Sequence, residues 1–366
     1  MTAEQIIVFL LMLSILVVLH EYGHFLVARR CGVRVTDFAV GFGPTLLRWT
    51  SPRSGTNYRL NLLPLGGYCQ MKGEDGKSTE AEQQREFRTG DVFEHDNFQA
   101  KTPLQRLAIV CAGPVANFIV ALVILVGSAL AFGIPGDLPT TTIYQLLPGY
   151  PAARAGLHAG DRIVSIDGRA MQDGNVLVDT IHRSFGKPIQ VVYQRAGHDY
   201  PLTLTPVAGP DGKQVGHLGF QPLPAMQRVG VGEACSYSWA QFTNVITRTA
   251  GVLGALVTHP STVAGQVQGP IGMARVSAQA QEFGPYMFLS LAAMISISLG
   301  IFNFLPLPAL DGGRGVFILV EMLRGRPVDP EKEALVHVGG FAVLIVLMLA
   351  VSFHDVTAAI AGRSVF

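Results

Sequence analysis

The sequence predicts an α-helical polytopic membrane protein of about four transmembrane helices, with one inserted α/β domain. Three observations predict it. Hydrophobic residues make up 49% of the 366 and charged residues only 14%, with a mean hydropathy of +0.36, a profile that suits a membrane protein carrying a soluble insert. Four segments are apolar and long enough to cross about 30 Å of hydrocarbon. Between the second and third of them, short alternating runs are punctuated by Gly, Pro and Asp.

The apolar segments are 6–28, 107–132, 286–304 and 335–353. The first is expected to be a retained span and not a signal peptide, because Met1-Thr2-Ala3-Glu4-Gln5 carries no positive charge and no small-residue cleavage site follows. Lys and Arg set the orientation. Arg29, Arg30, Arg34, Arg48, Arg53 and Arg59 follow the first span, Lys101 and Arg106 precede the second, and Arg314, Arg324, Arg326 and Lys332 follow the third. The loop ends at 133–141, 283–285 and 352–355 carry none. Both termini are therefore expected outside, with the first loop cytoplasmic and the long second loop extracytoplasmic. A net charge of +1 leaves no basic footprint for nucleic acid. Cys31, Cys69, Cys111 and Cys235 are scattered without a C-x-x-C pair, which argues against a disulfide framework and a cysteine-ligated zinc.

The first span ends in His20-Glu21-Tyr22-Gly23-His24. On a helix His20 and His24 stand one turn apart on one face, so both imidazoles reach one tetrahedral zinc, with Glu21 beside them as general base. Ionisable and metal-binding groups inside an apolar span are costly and mark function by default. A catalytic zinc takes a third protein ligand and keeps one position open for water. The best candidate is Asp311, in Asn303-Phe304-Leu305-Pro306-Leu307-Pro308-Ala309-Leu310-Asp311-Gly312-Gly313. Pro306 and Pro308 break a helix, which puts irregular backbone at membrane depth, tolerated where it is buried in protein or lines a wet cavity. Depth agrees: His20 lies roughly 21 Å along its span and Asn303 roughly 26 Å along a span entered from the same side. Of the other histidines, His158, His182, His198 and His217 read as surface residues of the insert. His95, His259, His337 and His354 have no partner at ligand spacing.

In the insert, 141–147 reads as a strand and 148–161 as a turn, a short helix and a glycine-fixed loop. A strand at 163–166 ends at Asp167-Gly168, 176–185 has helical spacing, and 189–194 pairs with 200–205 across Ala196-Gly197-His198. The pattern resembles a bacterial PDZ domain, a module that accepts an extended peptide beside a sheet edge. Peptide recognition or filtering and a rigid cap over the site both fit it. Beyond, 230–259 carries Tyr237, Trp239 and Phe242 among small residues, fitting a helix at the membrane surface or a packed soluble helix. The stretch 265–272, with Gly269-Pro270, reads as a turn. In the first loop, 33–71 reads as strands and turns, and 74–96 as a mobile polar linker.

These motifs together resemble the site-2 protease family of intramembrane zinc metalloproteases. The resemblance rests on the His20–His24 motif, on Asn303-x-x-Pro306-x-Pro308-x-Leu310-Asp311-Gly312, on Leu63-Pro64-Leu65-Gly66-Gly67-Tyr68 and on Gly113-Pro114-Val115-Ala116-Asn117, and covers nearly the whole chain. It implies His20, His24 and Asp311 as ligands of Zn2+, Glu21 as catalytic base, and Asn303, Gly66 and Gly67 as substrate-binding residues. It further implies that the first loop forms a membrane-associated β-hairpin that dips in beside the zinc, with an edge free to pair with an unwound substrate; the residues of 33–71 by themselves fit an ordinary cytoplasmic hairpin as well. The implied organisation is an N-terminal membrane core (1–136), an extracytoplasmic PDZ-like domain (137–225), a juxtamembrane connector (226–285) and a C-terminal membrane core (286–366). The implied place is the bacterial inner membrane. The implied partners are the lipid bilayer and single-span membrane proteins, anti-sigma factors and leftover signal peptides among them. One departure is that the insert holds one convincing PDZ copy where a well-known family member has two in tandem.

Two other classes fit parts of the pattern. A membrane PDZ scaffold or chaperone would bind such clients without cutting, and an intact Glu21 argues against it. A metal transporter also carries intramembrane His and Asp, but it needs a polar route across the bilayer, and here the ligands gather on one side.

Overall fold

The computed structural model describes residues 1–74, 95–209, 214–259, 269–326 and 328–360. In chain order the first elements are α1 (Ala3–Arg30), β1 (Val35–Thr50), β2 (Asn57–Met71), α2 (Pro103–Phe132), β3 (Ile134–Leu146) and α3 (Pro151–Arg154). There follow β4 (Arg162–Ile166), β5 (Arg169–Ala170), α4 (Gly174–Arg183), β6 (Ile189–Arg195) and β7 (His198–Leu204). Next come β8 (Val207–Ala208), β9 (Gly216–His217) and β10 (Phe220–Gln227). The chain ends with α5 (Val231–Thr258), α6 (Pro270–Glu282), α7 (Pro285–Phe304), α8 (Asp311–Arg324) and α9 (Pro330–Ile360). They form two compact units, Met1–Ser128 with Cys235–Phe366, and Ala129–Ala234.

Among the described residues, four helices are long and apolar enough to span a membrane: Ala3–Arg30, Pro103–Phe132, Pro285–Phe304 and Lys332–Phe353. The start of α1 is a capping box, with Gln5 N–H donating to Thr2 Oγ1 at 3.2 Å and Thr2 N–H donating to Gln5 Oε1 at 2.8 Å. Small residues bring the spans together, as expected where lipid removes the hydrophobic drive between helices. A Cβ on Gly23 would lie 2.4 Å from the Ala112 carbonyl oxygen, so α1 and α2 meet backbone to backbone. A Cβ on Gly300 would lie 2.7 Å from Phe118, and Ser296 Oγ donates to the Asn117 carbonyl at 2.8 Å, tying α7 to α2. Phe9, Met12 and Leu16 of α1 pack on Leu291, Ala292 and Ile295 of α7, with Met273 and Val276 of α6 against them.

The strands β1 and β2 form one long antiparallel hairpin with several register shifts. Its near half is buried: Val35, Cys69 and Met71 pack with Phe25 and Ala28 of α1. Its far half exposes Phe42, Leu46, Leu47, Trp49, Leu60 and Leu62. Gly66 and Gly67 run against α1, where Ser14 Oγ donates to the Gly66 carbonyl at 3.4 Å. A Cβ on Gly67 would lie 2.5 Å from the Ala39 carbonyl oxygen and 3.3 Å from Val18.

The second unit is built on a sheet of order β10-β3-β4-β6-β7, with β5 beside β4. Positive φ at Asp167 and Gly168, and again at Ala196 and Gly197, makes two-residue hairpin turns whose twist matches the strands they join. Ile143, Ile163, Ile166, Val191 and Leu204 from the sheet bury against Leu177 and Ile181 of α4. Buried Asp161 accepts from Arg195 Nε and Nη2, each at 2.7 Å, and from His158 N–H at 2.8 Å, closing the loop before β4. That carboxylate holds the Arg195 guanidinium above its ordinary pKa. The molecule is thus a polytopic helical protein with an inserted α/β module.

The structure differs from the sequence expectations at several places. The turn expected at 265–272 gives way at Pro270 to α6; residues 260–268 lie outside the described residues. Pro270 at the first helical position suits a helix start, since its missing N–H has no partner there anyway. The linker expected at 74–96 lies outside the described residues at 75–94, but its ends are tied down. Glu74 pairs with Arg314, and Lys72 with Asp96 at 2.8 Å. The sheet gains β10 beyond the expected module, on the edge, where Pro222 and Pro224 need donate to no neighbour on the open side.

Candidate active site

The helical pitch of α1 puts His20 and His24 on one face, both buried. Residues 305–310, which Pro306 and Pro308 keep from helical bonding, bring α8 in so that its first residue, Asp311, meets them. His20 Nε2 and His24 Nε2 are 3.2 Å apart. Asp311 Oδ2 is 3.1 Å from the first and 3.4 Å from the second. Ligand atoms about 2.0–2.1 Å from a tetrahedral zinc ion stand about 3.3–3.4 Å from each other, so the triangle has the edge length of a zinc site.

The protonation pattern leads to the same conclusion. His24 Nδ1 lies 2.8 Å from the Ile109 carbonyl oxygen, an acceptor only, so Nδ1 carries the proton and Nε2 of the neutral ring offers a lone pair. His20 Nδ1 lies 3.1 Å from the Asn117 side-chain amide, whose Oδ1 is buried without a partner. A half-turn of that amide sets Oδ1 against a protonated Nδ1, satisfies the orphan oxygen and frees the His20 Nε2 lone pair as well. Asp311 Oδ2 is itself buried with no hydrogen-bond partner. Three lone pairs thus converge with no proton between them, an arrangement that a cation stabilises and that repels itself without one.

Gly113 keeps the space open. A Cβ there would lie 2.2 Å from His24 Nε2 and 2.7 Å from His20 Nε2. Pro114 follows it and has no N–H to close the helical bond at that turn of α2. Glu21, on α1, lies within electrostatic reach of His20, His24 and Asp311. Among the described residues, these two histidines and Asp311 are the one group of three or more His, Cys, Asp or Glu able to share a metal ion. Nitrogen and carboxylate donors in a tetrahedral arrangement suit zinc.

The other expected site residues stand outside this triangle. Asn303 ends α7 with its Nδ2 donating to the Leu299 carbonyl at 3.0 Å. Gly66 and Gly67 lie on β2 against Val17 and Val18, less than one turn before His20. Gly113 and Asn117 are site residues beyond those expected from the sequence, although both lie in a motif that carried the resemblance. Their signal was small and amide side chains at spacing four in an apolar helix, one face of α2.

Residues 8–347 match the model of a family described as peptidase family M50. The chain is similar to the zinc metalloprotease RasP of Geobacillus kaustophilus, 32% identical over 424 residues, covering 97% of this chain and 98% of that one. It is similar to the regulator of sigma-W protease RasP of Bacillus subtilis, 32% identical with 97% and 99% covered. With the regulator of sigma-E protease RseP of Escherichia coli it shares 29% identity, with 95% and 97% covered. Among solved structures, the PDZ domain of an SdrC-like protein from Listeria monocytogenes matches 24% of this chain and 93% of its own, at 23% identity and a TM-score of 0.21.

Proposed function

The chain belongs to peptidase family M50 and is an intramembrane metalloprotease of the site-2 type, and from that premise we propose that His20, His24 and Asp311 hold its catalytic zinc and that Glu21 is its general base. The observation that carries this assignment is the buried triangle of His20 Nε2, His24 Nε2 and Asp311 Oδ2 at zinc-site spacing. Family names of the relatives imply zinc. When bound, zinc lowers the pKa of a water towards about 7 and polarises the scissile carbonyl.

The chain's own groups do the rest. Glu21 accepts the proton of the attacking water and returns it to the leaving amine. Ile109 and Asn117 hold the two imidazoles in the tautomer that leaves Nε2 free, and Gly113 supplies the room. A helical substrate hides its scissile carbonyl in an intrahelical bond, so cleavage requires an extended segment. The edge of the β1–β2 hairpin near Gly66 and Gly67 accepts that segment as an added strand, and Asn303 holds its backbone. The exposed apolar far half of the hairpin supports its contact with lipid.

The protein is a multi-pass protein of the bacterial inner membrane. Its substrates are single-span membrane proteins of the anti-sigma-factor kind, with leftover signal peptides as a further class; the names of the sigma-W and sigma-E relatives support the first. Residues 1–136 and 286–366 carry the chemistry, 137–225 form a periplasmic PDZ-like domain that selects clients, and 226–285 are a juxtamembrane segment. The Lys and Arg distribution supports that orientation.

Two measurements test the site. Purified protein incubated in detergent with a tagged single-span substrate is expected to yield a product that disappears on zinc chelation and returns on adding zinc; cleavage that survives chelation overturns the metal assignment. Asn117→Ala is expected to weaken zinc binding about 10–100-fold in chelator competition, the usual cost of losing a partner behind a ligand histidine. Wild-type affinity in that variant removes Asn117 from the site.

A further inference from the structure

Ala309 has φ +73°, in the left-handed region that an L-residue with a Cβ enters at a cost. The two other non-glycine residues with positive φ among those described, Asp167 and Ala196, each precede a glycine in a hairpin turn that requires that geometry. Ala309 has no such excuse in its own loop. Bonds within the loop are sparse: Leu307 N–H donates to Leu305 at 2.7 Å and Leu310 N–H to Leu307 at 3.3 Å. The twist at Ala309 sets the direction in which the chain enters α8, and therefore where the carboxylate of Asp311 goes.

A side chain from a distant helix holds it. His337, on α9, accepts the Ala309 N–H on Nδ1 at 2.8 Å. With Nδ1 accepting, the proton of the neutral ring sits on Nε2, which is buried without a hydrogen-bond partner, the nearest carboxylate being Glu333 at 3.9 Å. The ring thus tolerates an unpaired donor in order to serve Ala309. Phe317 of α8 lies against the same ring with centroids 5.6 Å apart. Three residues on, Gly340 lets α9 approach the loop closely: a Cβ there would lie 2.3 Å from Pro308 Cβ and 2.9 Å from its carbonyl oxygen. None of the apolar window of α9 is buried, so a polar ring turned towards the loop is out of place unless it does a job.

We infer that His337 is a positioning residue of the active site, which through Ala309 sets Asp311 Oδ2 at its corner of the metal triangle and makes the last span part of the catalytic centre. This deepens the assignment above and rests on Asp311 being a zinc ligand. His337 has no partner at ligand spacing in the sequence; its partner is a backbone N–H, which spacing does not reveal.

The test is zinc affinity of the full-length protein by chelator competition, with the visible spectrum of the cobalt-loaded protein as a readout of ligand geometry. His337→Ala is expected to bind zinc about tenfold more weakly and to shift the cobalt bands. His337→Asn, whose Oδ1 replaces Nδ1 as acceptor, is expected to return to within about threefold of wild type. In an Ala309→Gly background, where the left-handed turn needs no support, His337→Ala is expected to cost less than about threefold. Equal loss in the Ala and Asn variants, or an undiminished loss in the glycine background, overturns the inference. Asp311→Asn separates the two levels. If it leaves zinc affinity unchanged, the ligand assignment itself falls; if it abolishes binding while His337→Ala does not weaken it, only the role of His337 falls.

Discussion

Glu21→Gln is expected to lose about 10²–10⁴-fold in cleavage rate, the usual contribution of a positioned acid–base group, while keeping its zinc. Glutamine has nearly the shape of glutamate but no basic oxygen, so the attacking water keeps its proton and the leaving amine receives none. The donor triangle of His20, His24 and Asp311 does not include Glu21, so metal content measured on the purified variant should equal that of the wild type. Single-turnover cleavage of a tagged single-span substrate gives the rate. A variant that cleaves at the wild-type rate would remove Glu21 from the role of base; one that loses zinc as well would move it into the ligand set.

Gly113→Ala should produce the opposite signature. Its new Cβ would sit 2.2 Å from His24 Nε2, 2.6 Å from His24 Cε1 and 2.7 Å from His20 Nε2, all inside van der Waals contact. Neither ring can yield without abandoning Ile109 or Asn117, which fix their tautomers. Zinc affinity is expected to fall by about 100-fold or more, with activity lost in proportion. Gly127→Ala, lower on the same helix, is the control: nothing lies within 4 Å of its Cβ, and alanine suits a helix better than glycine by about 1 kcal/mol. Normal zinc content in Gly113→Ala would mean that the space beside the imidazoles is not the metal's.

The two variants separate the proton-transfer step from the metal site because their residues come from different parts of the fold. Glu21 and the histidines are legible together, since a helical period of 3.6 fixes their common face whatever surrounds them. Asp311 was legible as a candidate by its motif and by span depth, although 287 positions separate it from His24. The spans themselves follow from the length and apolarity a bilayer demands. The hairpin turns at Asp167-Gly168 and Ala196-Gly197 follow from the glycine at the second turn position, joined in the first turn by an aspartate that also tolerates left-handed backbone.

What stayed hidden depends on distances between elements. Helix α6 has no long apolar run, only a face for α1 and α7, so its amphipathic signal does not stand out beside the spans. Strand β10 is masked by its prolines, which are admissible only because its place in the sheet is an edge. Gly113, Asn117 and His337 act through close approach, a hydrogen bond behind a ligand, and support of a strained backbone N–H. Spacing four puts Gly113 and Asn117 on one face of α2, but it does not say what that face meets. Residue order along the chain sets helical faces, turn chemistry and membrane spans because those depend on neighbours a few positions apart. Which glycine makes room for a metal, and which histidine steadies the loop that completes its ligands, depends on separations of a few ångströms between distant segments, and those exist only once the helices have packed.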